Sequence, residues 1–156
     1  LYERVVTVSG LAVARPGNYF VKTGMTFEEL ADAAGIRSQY VKAVQGGPMM
    51  GISMHSLKPS VTKSSGALLL LTEEEIRGIE PTPCINCARC ASVCPMSLMP
   101  MKTDALILKD KVVEAKAYHP ELCIECGCCA FVCPAKRPLV QSQRLAKKLI
   151  KNSGAR

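Results

Sequence analysis

The chain has 156 residues, of which 48% are hydrophobic and 4% aromatic, and its formal net charge is +7. This size allows one domain or two small ones, and the low aromatic content predicts a modest core. The longest apolar run, residues 67–71, is too short to span a bilayer, so we expect neither a membrane span nor a signal peptide. The basic residues are scattered, with no recognition motif or aromatic stacking set, which disfavours nucleic-acid binding.

The first half of the chain is typical of a small mixed sheet. Alternating or continuous apolar runs predict strands at 4–8, 19–22, 41–44 and 68–71. Thr26 and Glu29 fit a capping box that opens a short helix through Ala34, which Gly35 can end. We therefore predict an α+β unit in which one helix packs on the sheet.

Residues 46–51, GGPMMG, form a glycine-rich segment with two open interpretations. One is a tight turn between strands, with methionine packing into the core. The other is close backbone approach to a ligand or a cofactor edge. The segment has neither the lysine of a phosphate loop nor the glycine spacing of a dinucleotide site.

Two copies of one cysteine pattern follow a polar connector. Residues 84–95 read CINCARCASVCP and residues 123–134 read CIECGCCAFVCP, so that eight of twelve positions match at an offset of 39. This is the spacing of the ferredoxin run that binds two cubane iron–sulfur clusters. The pattern makes electron transfer the first hypothesis.

The spacing also predicts which cysteines share a cluster. Three thiolates in one tight loop bind three irons of a cubane, and in two-cluster ferredoxins the cysteine before proline serves the other cluster. We therefore assign Cys84, Cys87, Cys90 and Cys133 to one 4Fe–4S cluster, and Cys123, Cys126, Cys129 and Cys94 to the other. With four thiolates each cluster carries about −2, so the loaded protein is expected to be only mildly basic.

Other uses of the cysteines fit the pattern less well. Structural zinc usually takes two C-x2-C pairs with a longer spacer, and disulfides need an oxidising compartment. The ninth cysteine, Cys128, aligns with Arg89 and is therefore not expected to be a ligand. It is interpreted as a small residue beside the cluster, with a redox-active or cluster-tuning thiol as the alternative.

The segments around the two runs are predicted to be helical. Short helices are expected at 104–108 and 112–117, and a basic amphipathic helix after Pro138. That last helix either packs as an ordinary surface helix or lies on an anionic membrane or an acidic partner. We expect apolar side chains of the runs to screen the clusters from water: Ile85, Val93, Ile124, Phe131 and Val132.

No catalytic residue is predicted. His55 and His119 are isolated in the sequence, with no paired base or carboxylate set around them. The expected contributions of the chain are ligation, burial and hydrogen bonding, while the redox chemistry belongs to the cofactor.

Several strings together resemble the C subunit of Rnf complexes, the ion-translocating ferredoxin:NAD oxidoreductases of bacterial membranes. They are RVVTVSG at 4–10, RPGN at 15–18, GGPMMG at 46–51, both cysteine runs, and CPAKRPLVQ at 133–141. The cysteine runs are shared with many ferredoxin domains, whereas the order of these strings is much more specific.

The resemblance implies two domains. Residues 1–75 would form a soluble-ligand-binding (SLBB) β-grasp-like domain, and residues 76–156 a mainly helical ferredoxin-type domain with two 4Fe–4S clusters. In the family an upstream domain precedes these two, and FMN and NADH would bind only there. The chain opens Leu1-Tyr2 without methionine, so it is expected to be a piece of a longer polypeptide.

The resemblance also implies the setting. The chain would transfer electrons as a subunit of a redox-driven translocase, peripheral to the cytoplasmic face of the bacterial cell membrane. Its partners would be the other subunits and a ferredoxin-like electron partner, with membrane contact through those subunits or the basic C-terminal helix. Two alternatives stay open: a cobalamin reductase of the microcompartment type, and a ligand-binding or scaffold module.

Overall fold

A computed structural model describes residues 2–78 and 80–154, and the chain divides into two compact units, Leu1–Gly78 and Ile79–Arg156. The first unit contains five strands and two helices. In chain order they are β1 (Glu3–Ser9), β2 (Gly17–Lys22), α1 (Phe27–Ala34), β3 (Lys42–Gln45), β4 (Ile52–Met54), β5 (Ala67–Leu71) and α2 (Glu73–Ile76). The four predicted strands and the predicted helix are confirmed. The short strand β4 was not predicted.

The strands form one mixed sheet in the order β2-β1-β5-β3-β4. The two central strands, β1 and β5, are parallel, and each outer neighbour pairs antiparallel to its inner one. The single long helix of this unit follows the first hairpin. This arrangement confirms the predicted β-grasp-like fold.

The core of the first unit follows from strand alternation. Val6 and Val8 of β1, and Leu68 and Leu70 of β5, are completely buried on the central strands. Helix α1 contributes Phe27, Leu30, Ala31 and Ala34 to the same core. Because side chains alternate across a strand, these positions place one apolar face of the sheet against one apolar face of the helix.

The start of α1 is fixed by the predicted capping box. The hydroxyl of Thr26 accepts a hydrogen bond from the Glu29 amide at 3.2 Å, and the Glu29 carboxylate accepts one from the Thr26 amide at 2.8 Å. The backbone N–H of Thr26 lowers the pKa of the Glu29 carboxyl, since it favours the charged form. The helix ends at Gly35, whose φ of 74° suits glycine.

The glycine-rich segment 46–51 is a turn between β3 and β4, which agrees with the first of its two interpretations. A Cβ on Gly51 would lie 2.5 Å from both the Gly47 carbonyl oxygen and the Val44 side chain, so this position requires glycine. The expectation that methionine packs into the core is wrong, because Met49 and Met50 are 39% and 55% exposed.

The second unit is built from helices and loops. They are α3 (Arg89–Ser92), α4 (Pro100–Ile107), α5 (Val112–Lys116), a 3-10 turn (Pro120–Leu122), α6 (Cys128–Phe131) and α7 (Leu139–Asn152). The two predicted helices between the cysteine runs and the C-terminal helix are confirmed. Within the described residues, no helix has both the length and the apolar character needed to cross a membrane.

A buried polar cluster joins α4, α7 and the loop before α7. The Asp104 carboxylate accepts hydrogen bonds from the Arg137 guanidinium at 2.9 and 3.0 Å and from the Ser142 hydroxyl at 2.6 Å. The Asp104 and Arg137 side chains are only 4% and 15% exposed. A buried charge needs such partners, so this cluster fixes how the three segments meet.

Candidate metal centres

Two apolar cavities in the second unit are each lined by four cysteines. The Cys84 cavity, of about 340 Å³, is lined by Cys84, Cys87, Cys90 and Cys133. The Cys123 cavity, of about 350 Å³, is lined by Cys94, Cys123, Cys126 and Cys129. Each cavity therefore takes three cysteines from one run and the fourth from the other.

The two runs fold into the same backbone conformation. Three residues in each run have positive φ at corresponding positions, 39 residues apart. They are Asn86, Ala88 and Ser97 in the first run, and Glu125, Gly127 and Lys136 in the second. A left-handed Ala88 costs about 1–2 kcal/mol relative to the right-handed form. The conformation is thus kept even where no glycine supports it, which ties it to the placement of the cysteines.

Backbone amides donate to several of the sulfurs. The amide of Asn86 lies 3.5 Å from the Cys84 sulfur, and the amide of Glu125 lies 3.3 Å from the Cys123 sulfur, at the matching position of the repeat. The amide of Leu98 lies 3.4 Å from the Cys94 sulfur. Hydrogen bonds of this kind stabilise a thiolate and, in a bound cluster, influence the reduction potential.

Burial has the opposite effect on two thiols. Loss of hydration raises the pKa of Cys90, and it raises the pKa of Cys129 to about 12. Both thiols must lose a proton to bind iron, so ligation at these positions releases protons and depends on pH.

The cavities fit a polynuclear group better than a single ion. Among residues 2–78 and 80–154, no three His, Cys, Asp or Glu side chains are close enough to hold one metal ion. The four thiols instead surround an apolar space, which is the arrangement that a cluster with one thiolate per iron requires. This geometry disfavours a tetrahedral zinc site.

Cys128 lies beside the sites but is not among the residues that line either cavity. A hydrogen bond with Cys126 raises its pKa, so the neutral thiol is favoured. Its position in α6 corresponds to Arg89 in α3, as the alignment of the runs predicts.

The predicted apolar screen is correct only in part. Ile85 lines the Cys84 cavity and Ile124 lines the Cys123 cavity. The expectation is wrong for Val93, Phe131 and Val132, which line neither cavity. Phe131 is 74% exposed, because its position at the end of α6 directs the ring to solvent. The remaining walls come from the first turns of the following helices, including Met101 of α4 and Leu139 and Val140 of α7.

The basic helix α7 packs against the second cysteine run. Lys147 donates to the Cys123 carbonyl at 2.6 Å and to the Glu125 carboxylate at 2.8 Å, and Arg144 donates to that carboxylate at 2.7 Å. The bonds from Lys147 and then Arg144 hold the pKa of Glu125 below its ordinary value. Two of the cations that suggested a membrane or acidic partner are thus bonded within the second unit.

Sequence reasoning did not identify Met101, Asp104, Arg137 or Gln143 as residues of the site. The signal that was available is the offset of 39, which continues beyond the cysteines: α4 begins at Pro100 and α7 at Leu139. Extending the alignment through both helices would have placed their first turns beside the cavities.

Two family models match the chain. The model described as a 4Fe-4S dicluster domain matches residues 77–148, and the model described as an SLBB domain matches residues 5–53. Together with the two cysteine-lined cavities and the β-grasp-like sheet, these matches define a dicluster iron–sulfur protein with an SLBB domain.

Similar proteins cover nearly the whole chain, and three of them are C subunits of redox complexes. The chain is 42% identical to that of the proton-translocating ferredoxin:NAD(+) oxidoreductase complex of Clostridium ljungdahlii, over 100% of the chain and 35% of that protein. It is 38% identical to that of the Na(+)-translocating ferredoxin:NAD(+) oxidoreductase complex of Acetobacterium woodii, over 96% and 34%. It is 41% identical to that of the ion-translocating oxidoreductase complex of Rhodobacter capsulatus, over 94% and 28%.

The chain belongs to the family of these C subunits, the family of Rnf complexes. It spans about a third of the length of the relatives it matches.

Proposed function

We propose that this chain carries electrons through two 4Fe–4S clusters as part of a membrane-associated, ion-translocating ferredoxin:NAD oxidoreductase complex. The observation that carries the proposal is the pair of cavities, each lined by four cysteines drawn from both runs. We assign Cys84, Cys87, Cys90 and Cys133 to one cluster, and Cys94, Cys123, Cys126 and Cys129 to the other. When bound, such a cluster supplies one-electron redox chemistry.

The residues of the chain hold and tune these sites. The thiolates ligate iron, backbone amides donate to sulfurs, and apolar side chains such as Ile85 and Ile124 line the space beside them. Because each site takes one cysteine from the other run, both sites lie within one folded unit. That closeness favours electron transfer between the two sites.

The rest of the proposed machinery lies outside this chain. Residues 1–75 act as the SLBB domain and residues 76–156 as the ferredoxin-type domain, while an upstream domain of the same subunit binds FMN and NADH. Other subunits of the complex are the partners, with a ferredoxin-like protein as an electron partner. The chain lies peripherally at the cytoplasmic face of the bacterial cell membrane, held by those subunits or by the end of α7.

Anaerobic reconstitution with iron and sulfide tests the cluster proposal. We expect about eight irons per chain, and EPR of the reduced protein showing two interacting cubane signals. Cys126→Ser should disrupt one cluster, whereas the neighbouring Cys128→Ser is the matched control and should keep both. About four irons in the unsubstituted chain, or zinc in their place, would contradict the proposal.

Affinity purification of the full-length subunit from solubilised membranes of its own organism tests the setting. We expect integral membrane subunits to co-purify, together with FMN and NADH-dependent reduction of the clusters. Recovery as a soluble protein that reduces cobalamin would support the cobalamin reductase alternative. Recovery with a small molecule bound to the first unit and no electron transfer would support the ligand-binding module.

A further inference from the structure

The Cys123 cavity contains a buried amide that lacks a hydrogen-bond partner. Gln143 of α7 is 1% exposed and lines this cavity together with Cys94, Cys123, Cys126 and Cys129. Within the part of the chain that the structure describes, neither its side-chain nitrogen nor its side-chain oxygen has a partner. Folded proteins rarely leave such a group unsatisfied, so its partner belongs in the cavity.

The corresponding residue of the repeat is bonded elsewhere. Asp104 of α4 lies 39 residues before Gln143 and is also buried. Its carboxylate is bonded to Arg137 and Ser142, and it is not among the residues that line the Cys84 cavity. The two sites therefore share their cysteine geometry but differ in the polar side chain that the following helix brings to them.

Resting on the proposed clusters, we propose that the Gln143 amide donates a hydrogen bond to sulfur in the Cys123 cavity and raises the reduction potential of that cluster alone. The amide N–H is a donor, and thiolate and sulfide are acceptors. A hydrogen bond to sulfur favours the more negative, reduced form, in which one electron has been added. The amide keeps its proton throughout, so Gln143 is a tuning residue and transfers nothing.

The consequence is an unequal pair of clusters built on a symmetrical cysteine frame. The donor acts on the site that holds Cys123, whereas the first turn of α4 offers the Cys84 cavity the thioether of Met101, which lies 3.7 Å from the Cys90 sulfur. Gln143 thus makes the Cys123 site a better electron acceptor than the same site without the amide.

Redox titration of reconstituted protein, followed by EPR, tests this inference. Gln143→Met removes the donor and keeps the side-chain length, and we expect one cluster to shift to lower potential while the other is unchanged. Gln143→Glu replaces the donor with an acceptor and should shift the same cluster in the same direction, and further. Gln141→Met, at an exposed position of the same helix, is the matched control and should shift neither.

A second measurement avoids any effect of substitution on folding. Unsubstituted protein labelled with 15N in its glutamine side chains should show a nitrogen coupling to one reduced cluster in pulsed EPR, and Gln141→Met should retain it. Two clusters without this coupling, or unchanged potentials in Gln143→Met, would overturn the inference and leave the proposed function standing. A chain that binds no clusters at all would instead overturn the proposed function.

Discussion

The two units of this chain contain different kinds of interior. In the first unit, Val6, Val8, Leu68 and Leu70 meet one helix in a continuous apolar core. In the second, one small apolar cluster surrounds Cys90 and Cys129, and another contains Ile107, Ala115 and Ala146. The comparison shows that apolar patterning is sufficient to organise the first unit, whereas the second depends on its cavities being filled.

Removal of iron should separate the two units most strongly. After anaerobic chelation of the reconstituted protein, we expect the second unit to lose amide protection, because the metal organises the loops that its small core does not. Hydrogen exchange followed by mass spectrometry measures this, with the peptides of residues 2–78 as the internal control. Full protection of both units after complete iron loss would remove the proposed difference between them.

Asp104→Asn should give the next largest effect. Removing one partner of a buried ion pair leaves the Arg137 charge uncompensated, which typically costs about 3–5 kcal/mol. Denaturant unfolding of the loaded protein should show this loss in the free energy of unfolding. Glu114→Gln, which removes an exposed ion pair with Lys111, is the control and should cost about 0–1 kcal/mol. Equal effects of the two substitutions would contradict the role given to Asp104.

Leu30→Ala tests the apolar core of the first unit. Truncating a buried leucine removes burial and leaves a cavity, which should lower the free energy of unfolding of this unit by about 2–5 kcal/mol. Phe20→Ala is the control, since that ring is 84% exposed and lies outside the core. Iron content should be unchanged in both variants, and a loss of clusters in Leu30→Ala would show that the two interiors are not independent.

Thr26→Ala should give the smallest effect, about 1 kcal/mol, because it removes one capping hydrogen bond from α1. The Glu29 pKa is lowered by its bond to Thr26, so this carboxylate stabilises the fold above its ordinary pKa. That contribution is lost as pH falls through the lowered pKa. Thermal unfolding at neutral and acidic pH measures both effects, and an equal difference between Thr26→Ala and the unsubstituted chain at both pH values would contradict the capping role.

The parts of this protein that follow local rules were predictable from the sequence. Strand alternation located β1 and β5, and the Thr26 capping box located α1, because both signals act between near neighbours. The spacing of the cysteines similarly predicted two sites and set Cys128 apart.

Features that depend on tertiary packing were not predictable in the same way. The three-residue strand β4 is too short to show a period, and the exposure of Met49, Met50 and Phe131 is set by which way the chain turns. The partners of Asp104 lie 33 and 38 residues away, and the isolation of Gln143 appears only when α7 is packed beside the cysteines. No local pattern reports such contacts.

The crossed assignment of the cysteines is the central claim, and one pair of double variants tests it most directly. Iron content and EPR of Cys84→Ser/Cys133→Ser should show one intact cluster of about four irons without an interacting neighbour, because both substitutions affect the same site. Cys84→Ser/Cys94→Ser should disrupt both clusters. The reverse result, with both clusters lost in the first variant and one kept in the second, would contradict the assignment and show that each run holds a cluster by itself.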